Sequence, residues 1–292
     1  MTSAVRIALA QWCPVPGDVS ANFALARQAI AQAAADGAGL VVFPELFLSG
    51  YATEPRCDLV IGAGDDRLAA LAEPERHVAA VLGLREASGA DLPFNSACYV
   101  QGGAVRHVQR KVSLVSYHVF AEDRMFTPGS AVRAFDTAWG RIGILICNDA
   151  WHPALAAVLA HDEAQVMVIP AASADITLPE LPGVHRTWHA ITSLYASLFQ
   201  CYVIFVNLVG NDHAWVFAGG SHVVGPHGEV IAEAARDQEE LLVADLDLDS
   251  VRRCRRATPL SRNPRLDLVH REAGRLLGLD DRGGPDLDGC HC

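Results

Sequence analysis

The sequence contains no apolar run that approaches the roughly 18 residues a membrane-spanning helix requires. Its first residues, Met1 to Arg6, lack a basic stretch followed by an apolar one and do not resemble a secretory signal. The eight cysteines are irregularly spaced, which argues against the disulfide framework of a small secreted protein. We therefore predict a cytoplasmic protein with no membrane partner.

Positive charge is also scarce, because 34 acidic residues outnumber 23 lysines and arginines and give a net charge of −11. Such an acidic surface argues against binding to a nucleic-acid backbone or to an anionic membrane surface. One basic cluster, Arg252-Arg253-Cys254-Arg255-Arg256, interrupts this pattern. We expect this cluster to form a solvated or interface face of one short helix, and we predict no nucleic-acid partner.

The chain is long and apolar enough to bury a substantial core, since 51% of its 292 residues are hydrophobic. Strand-like and helix-like segments alternate, and the turns Gly102-Gly103 and Pro226-His227-Gly228 separate pairs of strands as hairpins. This pattern predicts an α/β fold with mixed sheets. We predict a domain over residues 1–257. The remainder, 258–292, is predicted to be an extended tail that packs on a partner subunit or is partly disordered.

Three local predictions can be compared directly with a structure. Residues 21–35 are predicted to form a helix whose N-cap is Ser20. Residues 141–147 are predicted to form one buried strand that ends on Cys147, at the sheet edge where open α/β folds build their sites. Residues 215–225 are predicted to form a single strand that leads into the second hairpin.

Apolar runs end on three side chains that would be reactive together: Glu45, Lys111 and Cys147. Each has an ordinary structural explanation, as a capping carboxylate, an exposed edge lysine and a small buried thiol. Charged groups at the ends of buried strands are nevertheless costly unless they are paired. We therefore predict that the acid, the amine and the thiol share one pocket.

Such a pocket has coherent chemistry. The thiolate of Cys147 would be the nucleophile, and Glu45 would take the thiol proton as a general base. Lys111 and the backbone N–H of Asn148 would stabilise the oxyanion that develops. This set of groups predicts cleavage of a carboxylic derivative through a thioester.

Two other kinds of site were weighed against this hypothesis. A papain-like pair of Cys147 with His152, His185 or His189 lacks a segment that suggests an orienting partner for the imidazole. His185 and His189 are four residues apart, but the sequence shows no clear third metal ligand beside them. The terminal Cys290-His291-Cys292 is an incomplete zinc site and is more simply a flexible tail. We predict no metal.

Four motifs follow one another along the chain. They are Ile7-Ala8-Leu9-Ala10-Gln11, then Phe43-Pro44-Glu45-Leu46 with Ser49-Gly50-Tyr51, then Arg110-Lys111, then Gly143 through Cys147 with Asp149. This series resembles the nitrilase superfamily, the carbon–nitrogen hydrolases, from about residue 4 to about residue 246. The resemblance implies a four-layer αββα sandwich that assembles as a homodimer or larger homo-oligomer. It also implies no cofactor, with Glu45, Lys111 and Cys147 as base, oxyanion stabiliser and nucleophile.

A fourth site residue follows from a narrower resemblance. The segment around Glu122, with Arg124, Phe126 and Pro128-Gly129, is similar to the glutaminase domains of glutamine-dependent NAD synthetases and to related free-standing amidases. That similarity implies that Glu122 supports Lys111 and helps to position the substrate. The alternative is that Glu122 merely pairs with Arg124 on a loop.

Two departures from the family pattern bear on the substrate. Asn148 stands where the family often has glutamate or arginine, and the helix over residues 188–200 lacks the Arg-Ala-x-Glu-Asn pattern of many branches. The resemblance implies hydrolysis of a small linear amide, with Tyr51, Asn148 and Trp151 as substrate-binding residues. The alternatives are acyl transfer to an amine, hydrolysis of a nitrile, and a non-catalytic binding or assembly protein.

Overall fold

The computed structural model describes residues 4–51, 56–62, 64–71, 77–89, 92–117, 120–174, 183–212, 215–260 and 264–279. The predicted terminal motif Cys290-His291-Cys292 lies outside these residues. Within them the chain forms fourteen strands. They are β1 (Ala4–Gln11), β2 (Leu40–Val42), β3 (Ala79–Glu86), β4 (Phe94–Gln101), β5 (Ala104–Arg110), β6 (Phe135–Asp136), β7 (Arg141–Ile144), β8 (Val166–Ala171), β9 (Tyr202–Asn207), β10 (Val209–Asp212), β11 (Trp215–Ala218), β12 (His222–Val224), β13 (Val230–Glu233) and β14 (Glu240–Asp247).

Six α-helices accompany the strands in the described part of the chain. They are α1 (Val19–Ala35), α2 (Asp66–Leu71), α3 (Pro153–His161), α4 (Val184–Phe199), α5 (Leu248–Ala257) and α6 (Leu266–Leu276). None of these helices is both long enough and apolar enough to cross a bilayer.

Two six-stranded sheets carry most of the strands. The first has the order β14-β1-β2-β3-β4-β5, with β1, β2 and β3 parallel and the other pairs antiparallel. The second has the order β13-β12-β9-β8-β7-β6, with β7, β8 and β9 parallel. Every residue of β2, β8 and β9 is buried, as expected for central strands that are covered on both faces. The mixed α/β sheets predicted from the sequence are confirmed.

The order of the layers follows from three buried clusters. One joins the inner faces of the two sheets, through residues such as Leu9 and Val81 of the first sheet and Ile144 and Val168 of the second. A second packs α1 and α2 against the outer face of the first sheet, and a third packs α3 and α4 against the outer face of the second. Since each sheet buries both faces, the result is the four-layer αββα sandwich that the resemblance implied.

The structure corrects the three local predictions. The N-cap of the first helix is Asp18 and not Ser20, because the Asp18 carboxylate accepts the backbone N–H of Ala21 at 2.9 Å. The strand predicted to reach Cys147 ends at Ile144, and the chain then turns into a short 3-10 helix. The strand predicted over residues 215–225 is two strands, because Gly219 and Gly220 take positive φ angles and break it.

The tail beyond residue 257 also differs from its prediction. In place of an extended segment, its described part contains the helix α6, none of whose residues is buried. The basic cluster lies on α5 as predicted, with Arg252 and Arg253 paired to Asp249 and Asp247. Leu248 and Val251, on the other face of α5, contribute to the core between the sheets.

Candidate active site

The ends of three strands meet along one edge of the sandwich. Glu45 follows the end of β2, Lys111 directly follows β5, and Cys147 follows the end of β7. Strand β5 runs in the same direction as β2, because β4 is antiparallel both to β5 and to β3. The three side chains therefore emerge from carboxyl ends of strands in two facing sheets, which is where open α/β sheets form their sites.

Lys111 lies between two carboxylates. Its Nζ atom is 2.8 Å from Oε1 of Glu45 and 2.9 Å from Oε1 of Glu122, and all three side chains are almost completely buried. Burial opposes the charge of the ammonium, but the carboxylates of Glu122 and Glu45 outweigh it and hold the pKa of Lys111 well above its usual value. Lys111 is thus a fixed positive charge between the two buried carboxylates of Glu45 and Glu122.

The Glu45 carboxylate is held on both of its oxygens. Oε1 also accepts a hydrogen bond from the side-chain amide of Asn95 at 2.7 Å, and Oε2 accepts the backbone N–H of Ala172 at 2.8 Å. The segment around Glu45 packs directly on Gly83 of β3, where a Cβ atom would lie 2.3 Å from the carbonyl oxygen of Pro44. The position of the carboxylate therefore depends on a glycine and an asparagine in neighbouring strands.

Glu122 is the second partner of Lys111, and it also binds Tyr51. The phenol of Tyr51 donates to Oε1 of Glu122 at 2.9 Å, and the backbone N–H of Val115 donates to Oε2 at 2.9 Å. Burial, together with the negative charge of Glu122, raises the pKa of Tyr51 well above its ordinary value. Tyr51 is consequently a neutral donor that fixes Glu122, in addition to lining the cavity described below.

Cys147 begins the short 3-10 helix Cys147–Trp151, and its φ angle of 45° lies in the left-handed region. Burial raises the pKa of its thiol well above the usual value, and the Glu45 carboxylate adds to that effect. Lys111 acts in the opposite direction, and so does the backbone N–H of Ala172 that also binds Glu45. The thiol is therefore protonated at neutral pH until a base removes its proton.

Asp149 connects the cysteine segment to the lysine segment. Its Oδ2 atom accepts the backbone N–H of Ile146 at 3.1 Å, while Oδ1 accepts those of Val112 and Ser113 at 3.0 and 2.7 Å. Since these donors adjoin Cys147 and Lys111 in the chain, one buried carboxylate sets the spacing of both segments. The side-chain amide of Asn148 adds a bond to the carbonyl of Ser113 at 3.1 Å.

A cavity of about 270 Å³ opens above the thiol. Most of its wall is aromatic or aliphatic, and the three predicted substrate-binding residues Tyr51, Asn148 and Trp151 belong to it. The full described lining is Tyr51, Val115, Tyr117, Phe120, Glu122, Cys147, Asn148, Trp151, Ala172, Ser173, Ala174, Val184, Thr187 and Trp188. The cavity is thus a largely apolar chamber whose reactive group is a cysteine.

The described lining of this cavity contains no histidine, so nothing in it supports a papain-like pair. His152 is exposed, while His185 and His189 lie near Glu233 of β13. Asn95, Gly83 and the backbone of Ala172 also belong to the site, and the sequence does not predict them. Glycine in an otherwise fully buried strand was the one available signal for Gly83.

Comparison with known proteins identifies the class of protein that this fold and site define. The family model for carbon–nitrogen hydrolases matches residues 6–256, so the chain belongs to that family and with it to the nitrilase superfamily. The chain is 32% identical over 247 residues to a glutamine-dependent NAD(+) synthetase of Thermotoga maritima. That match covers 84% of this chain but 42% of the synthetase, so the chain spans less than half the length of this relative.

Two further relatives are covered almost completely. An (R)-stereoselective amidase of Pseudomonas sp. is 33% identical over 280 residues, which are 90% of this chain and 93% of the amidase. Among solved structures, a mutant of the amidase from Nesterenkonia sp. AN1 matches with a TM-score of 0.76 and 27% identity, over 92% of this chain and 99% of that one. That structure shows the result of Michael addition of acrylamide at the active site cysteine of the Nesterenkonia amidase.

Proposed function

We propose that this protein hydrolyses a small linear amide through a thioester on Cys147. Sγ attacks the amide carbon while Glu45 takes the thiol proton and passes it to the leaving nitrogen, which departs as ammonia or an amine. Glu45 then activates a water molecule, which attacks the thioester carbon and releases the carboxylic acid and the thiol. The observation that carries this proposal is the buried Glu45–Lys111–Glu122 group beside a cavity that contains the thiol.

Lys111 is proposed to stabilise the oxyanion together with the backbone N–H of Asn148. An ammonium has three N–H donors, and the carboxylates of Glu45 and Glu122 occupy two of them. Nζ is also 2.8 Å from Oε2 of Glu122, and the third donor is proposed to turn from that atom to the oxygen that becomes negative in the tetrahedral intermediate. Because Lys111 is fixed by both carboxylates before the reaction starts, little reorganisation is required in the transition state.

We further propose that the acyl group of the substrate is apolar. Aromatic side chains from several elements surround the thiol, among them Tyr117, Phe120 and Trp188. No arginine, lysine or histidine occurs in the described lining, so the described part of the cavity offers no cation to pair with the α-carboxylate of glutamine. The match to an (R)-stereoselective amidase over 93% of that protein supports the hydrolysis of an amide.

The first test measures ammonia release from a panel of amides with wild type, Cys147→Ala and Cys13→Ala. Cys13 also carries a partly exposed thiol, and it lies outside the cavity lining, so its variant controls for loss of a cysteine as such. We expect Cys147→Ala to abolish turnover and Cys13→Ala to leave it within about twofold. Equal rates for wild type and Cys147→Ala would refute the assignment of the nucleophile.

The second test concerns the substrate and the fate of the thioester. We expect kcat/KM for amides of aliphatic and arylaliphatic acids to exceed that for glutamine by at least tenfold. Preference for glutamine would refute the apolar acyl group while leaving the thioester mechanism intact. Product analysis with an added amine distinguishes hydrolysis from acyl transfer, and a nitrile in the same panel tests the remaining enzymatic alternative.

We also propose that two copies of the chain pair through the outer layer of α3 and α4. Val158, Leu194 and Leu198 are apolar, and each is close to half exposed on these two helices. Large apolar groups on one surface are typical of an interface between chains. Light scattering after gel filtration should give a dimer for wild type and a monomer for Leu194→Lys. Val216→Lys, at an equally exposed position on β11, should remain dimeric.

The predicted domain boundary and location are kept as parts of this proposal. The hydrolase domain is proposed to occupy residues 1–257, which the family match over residues 6–256 supports, and residues 258–292 to form a C-terminal extension that packs on a partner subunit or is partly disordered. Limited proteolysis should cut first beyond residue 257. Cytoplasmic location is proposed from the irregular spacing of the eight cysteines, which does not suggest a disulfide framework, and is tested by fractionation of cells that produce the protein.

A further inference from the structure

Two histidines and a glutamate converge on the outer side of the second sheet. His185 and His189 lie on the same face of α4, one helical turn apart, and Glu233 is the last residue of β13. Oε1 of Glu233 is 3.0 Å from Nε2 of His189 and 3.4 Å from Nε2 of His185. One ligand atom of each of the three residues therefore lies within 4.8 Å of the other two.

The surrounding residues hold the three groups in this arrangement. The His189 ring stacks on His222, with ring centres 4.2 Å apart, and His222 is itself fixed by Thr192 and by the carbonyl of Gly220. His222 is also the partner of Glu233 in the pairing of β12 with β13. The buried His222 thus positions both the imidazole of His189 and the carboxylate of Glu233, as residues next to metal ligands usually do.

The contacts of His185 are the most informative. Its ring packs against Gly220, where a Cβ atom would lie 2.7 Å from Nε2, so the glycine leaves just enough room for the imidazole. That Nε2 atom is buried and forms no hydrogen bond within the part of the chain that the structure describes. An imidazole whose proton is on Nδ1 presents the lone pair of Nε2 to a metal ion, and no described hydrogen bond of this atom would have to be given up for it.

We propose that His185, His189 and Glu233 bind a divalent transition-metal ion of the Zn²⁺ type. Zinc takes two imidazole nitrogens and one carboxylate oxygen at about 2.0–2.2 Å each, and the observed separations need only small side-chain movements to meet those lengths. Nitrogen donors select such an ion over Mg²⁺ and Ca²⁺, which prefer oxygen ligands alone. The fourth position is left to water, because three protein ligands leave a tetrahedral ion open.

The bound ion would connect the start of α4 to β13. Trp188 lies on α4 between the two histidines in the chain, lines the catalytic cavity and donates from its indole N–H to Ser173 at 2.8 Å. An ion at the neighbouring residues would therefore stiffen one wall of that cavity without touching Cys147. Its effect would be to hold α4 to β13, and because its ligands lie outside the described lining of the catalytic cavity, the proposal stands even if the amidase assignment fails.

The test uses the full-length protein after treatment with a chelator. It is titrated with Co²⁺ as a spectroscopic substitute for Zn²⁺, and binding of Zn²⁺ is measured by competition. We expect one tight Co²⁺ site without a sulfur-to-cobalt charge-transfer band, because the ligands are nitrogen and oxygen. We expect binding to weaken by roughly tenfold or more in each of the variants His185→Ala, His189→Ala and Glu233→Ala. Loss of a residue that only hydrogen-bonds to a metal ligand already has an effect of that size.

Three controls separate this site from the other metal-binding groups of the chain. His270→Ala removes an exposed histidine on α6, and Cys147→Ala and the double change Cys290→Ser with Cys292→Ser remove thiols. All three should keep the nitrogen-and-oxygen site with an unchanged affinity. Binding that survives in the Glu233→Ala and His189→Ala proteins, or that disappears with either thiol change, would overturn the proposal.

Thermal unfolding supplies a second readout. Each ligand substitution can lower the melting temperature of the metal-free protein, because His189 and Glu233 already contact each other. The relevant quantity is therefore the rise in melting temperature on addition of Zn²⁺, measured within each variant. We expect a rise for wild type and His270→Ala and none for the ligand variants. Equal rises in all of them would refute the assignment.

Discussion

Asp149, two residues after Cys147, accepts the backbone N–H of Ser113, two residues after Lys111, at 2.7 Å. This contact joins the segment that carries the thiol to the segment that carries the ammonium. The two segments belong to different sheets of the sandwich, so no local interaction fixes the distance between them. The distance between the proposed nucleophile and the proposed oxyanion stabiliser therefore depends on one buried carboxylate.

Asp149→Asn should separate these two segments. An amide keeps one acceptor oxygen but directs its NH₂ group at a backbone N–H, either that of Ile146 or those of Val112 and Ser113. Because a shift of about 1 Å at a catalytic group costs roughly a hundredfold in rate, we expect amide turnover to fall by at least tenfold. Steady-state kinetics measures the effect, with the exposed Asp123→Asn as a control that should keep wild-type turnover.

The pH dependence of stability tests the burial of the same carboxylate. Burial raises the pKa of Asp149 to about 6, so in mild acid the folded protein binds a proton that the unfolded chain has released. This contribution to stability is present below about pH 4 and is lost as the pH rises through about 6. The free energy of unfolding of wild type minus that of Asp149→Asn should fall by on the order of 2–3 kcal/mol between pH 4 and 7. Urea titrations of both proteins measure this difference, and a constant difference would contradict the prediction.

Glu122→Gln should change thiol reactivity and turnover in opposite directions. Burial is the main reason that the pKa of Cys147 is raised, and the charges of Glu45 and Glu122 add to it. Removing the Glu122 charge should therefore lower the thiol pKa and move the midpoint of iodoacetamide alkylation to lower pH. Turnover should fall by at least tenfold, because Lys111 loses one of the two carboxylates that position it.

Alkylation of Cys147 has to be followed by peptide mass spectrometry, because the chain contains seven other cysteines. Glu272→Gln is the matched control, since Glu272 is exposed on α6 and pairs only with a surface arginine among the contacts described. It should change neither the alkylation midpoint nor the turnover. A Glu122→Gln protein whose midpoint moves to higher pH would show that the carboxylate does not act on the thiol through its charge.

Gly83→Ala should damage the site through the backbone. An added Cβ atom would lie 2.3 Å from the carbonyl oxygen of Pro44 and 2.4 Å from the backbone nitrogen of Leu46, on either side of Glu45. We expect a loss of about 1–3 kcal/mol in the free energy of unfolding, as is typical of overpacked cores, and a fall in turnover. Gly62→Ala, where no atom lies within 4 Å of the new methyl group, should leave both quantities near wild type.

The sequence identified the general position of the site because strand ends are a strong signal. Glu45, Lys111 and Cys147 each follow the carboxyl end of a strand, and the structure brings these three strand ends together at one edge of the sandwich. The layer order, by contrast, came from the family resemblance, since periodicity alone does not specify how two sheets face each other. The structure confirmed both the mixed α/β sheets and the αββα order of the layers.

What the sequence could not supply depends on contacts between distant segments. Asn95 reaches Glu45 from 50 residues away, and Glu233 reaches His189 of α4 from 44 residues away. Neither contact leaves a local pattern in the chain.

The end of the strand before Cys147 was missed for another reason. Leu145 and Ile146 are apolar and buried but follow the strand in an extended connection, which composition cannot distinguish from the strand itself.

The left-handed backbone at Cys147 has a consequence for how stability and activity are related in this protein. A residue other than glycine with φ near 45° carries a conformational cost on the order of 1 kcal/mol, which alanine or serine at the same position would retain. Glycine would not carry it. Cys147→Gly should thus be inactive yet less strained in its backbone than Cys147→Ala. The thiol at this position therefore comes with a backbone cost, and the proposed reaction of Cys147 accounts for a residue other than glycine here.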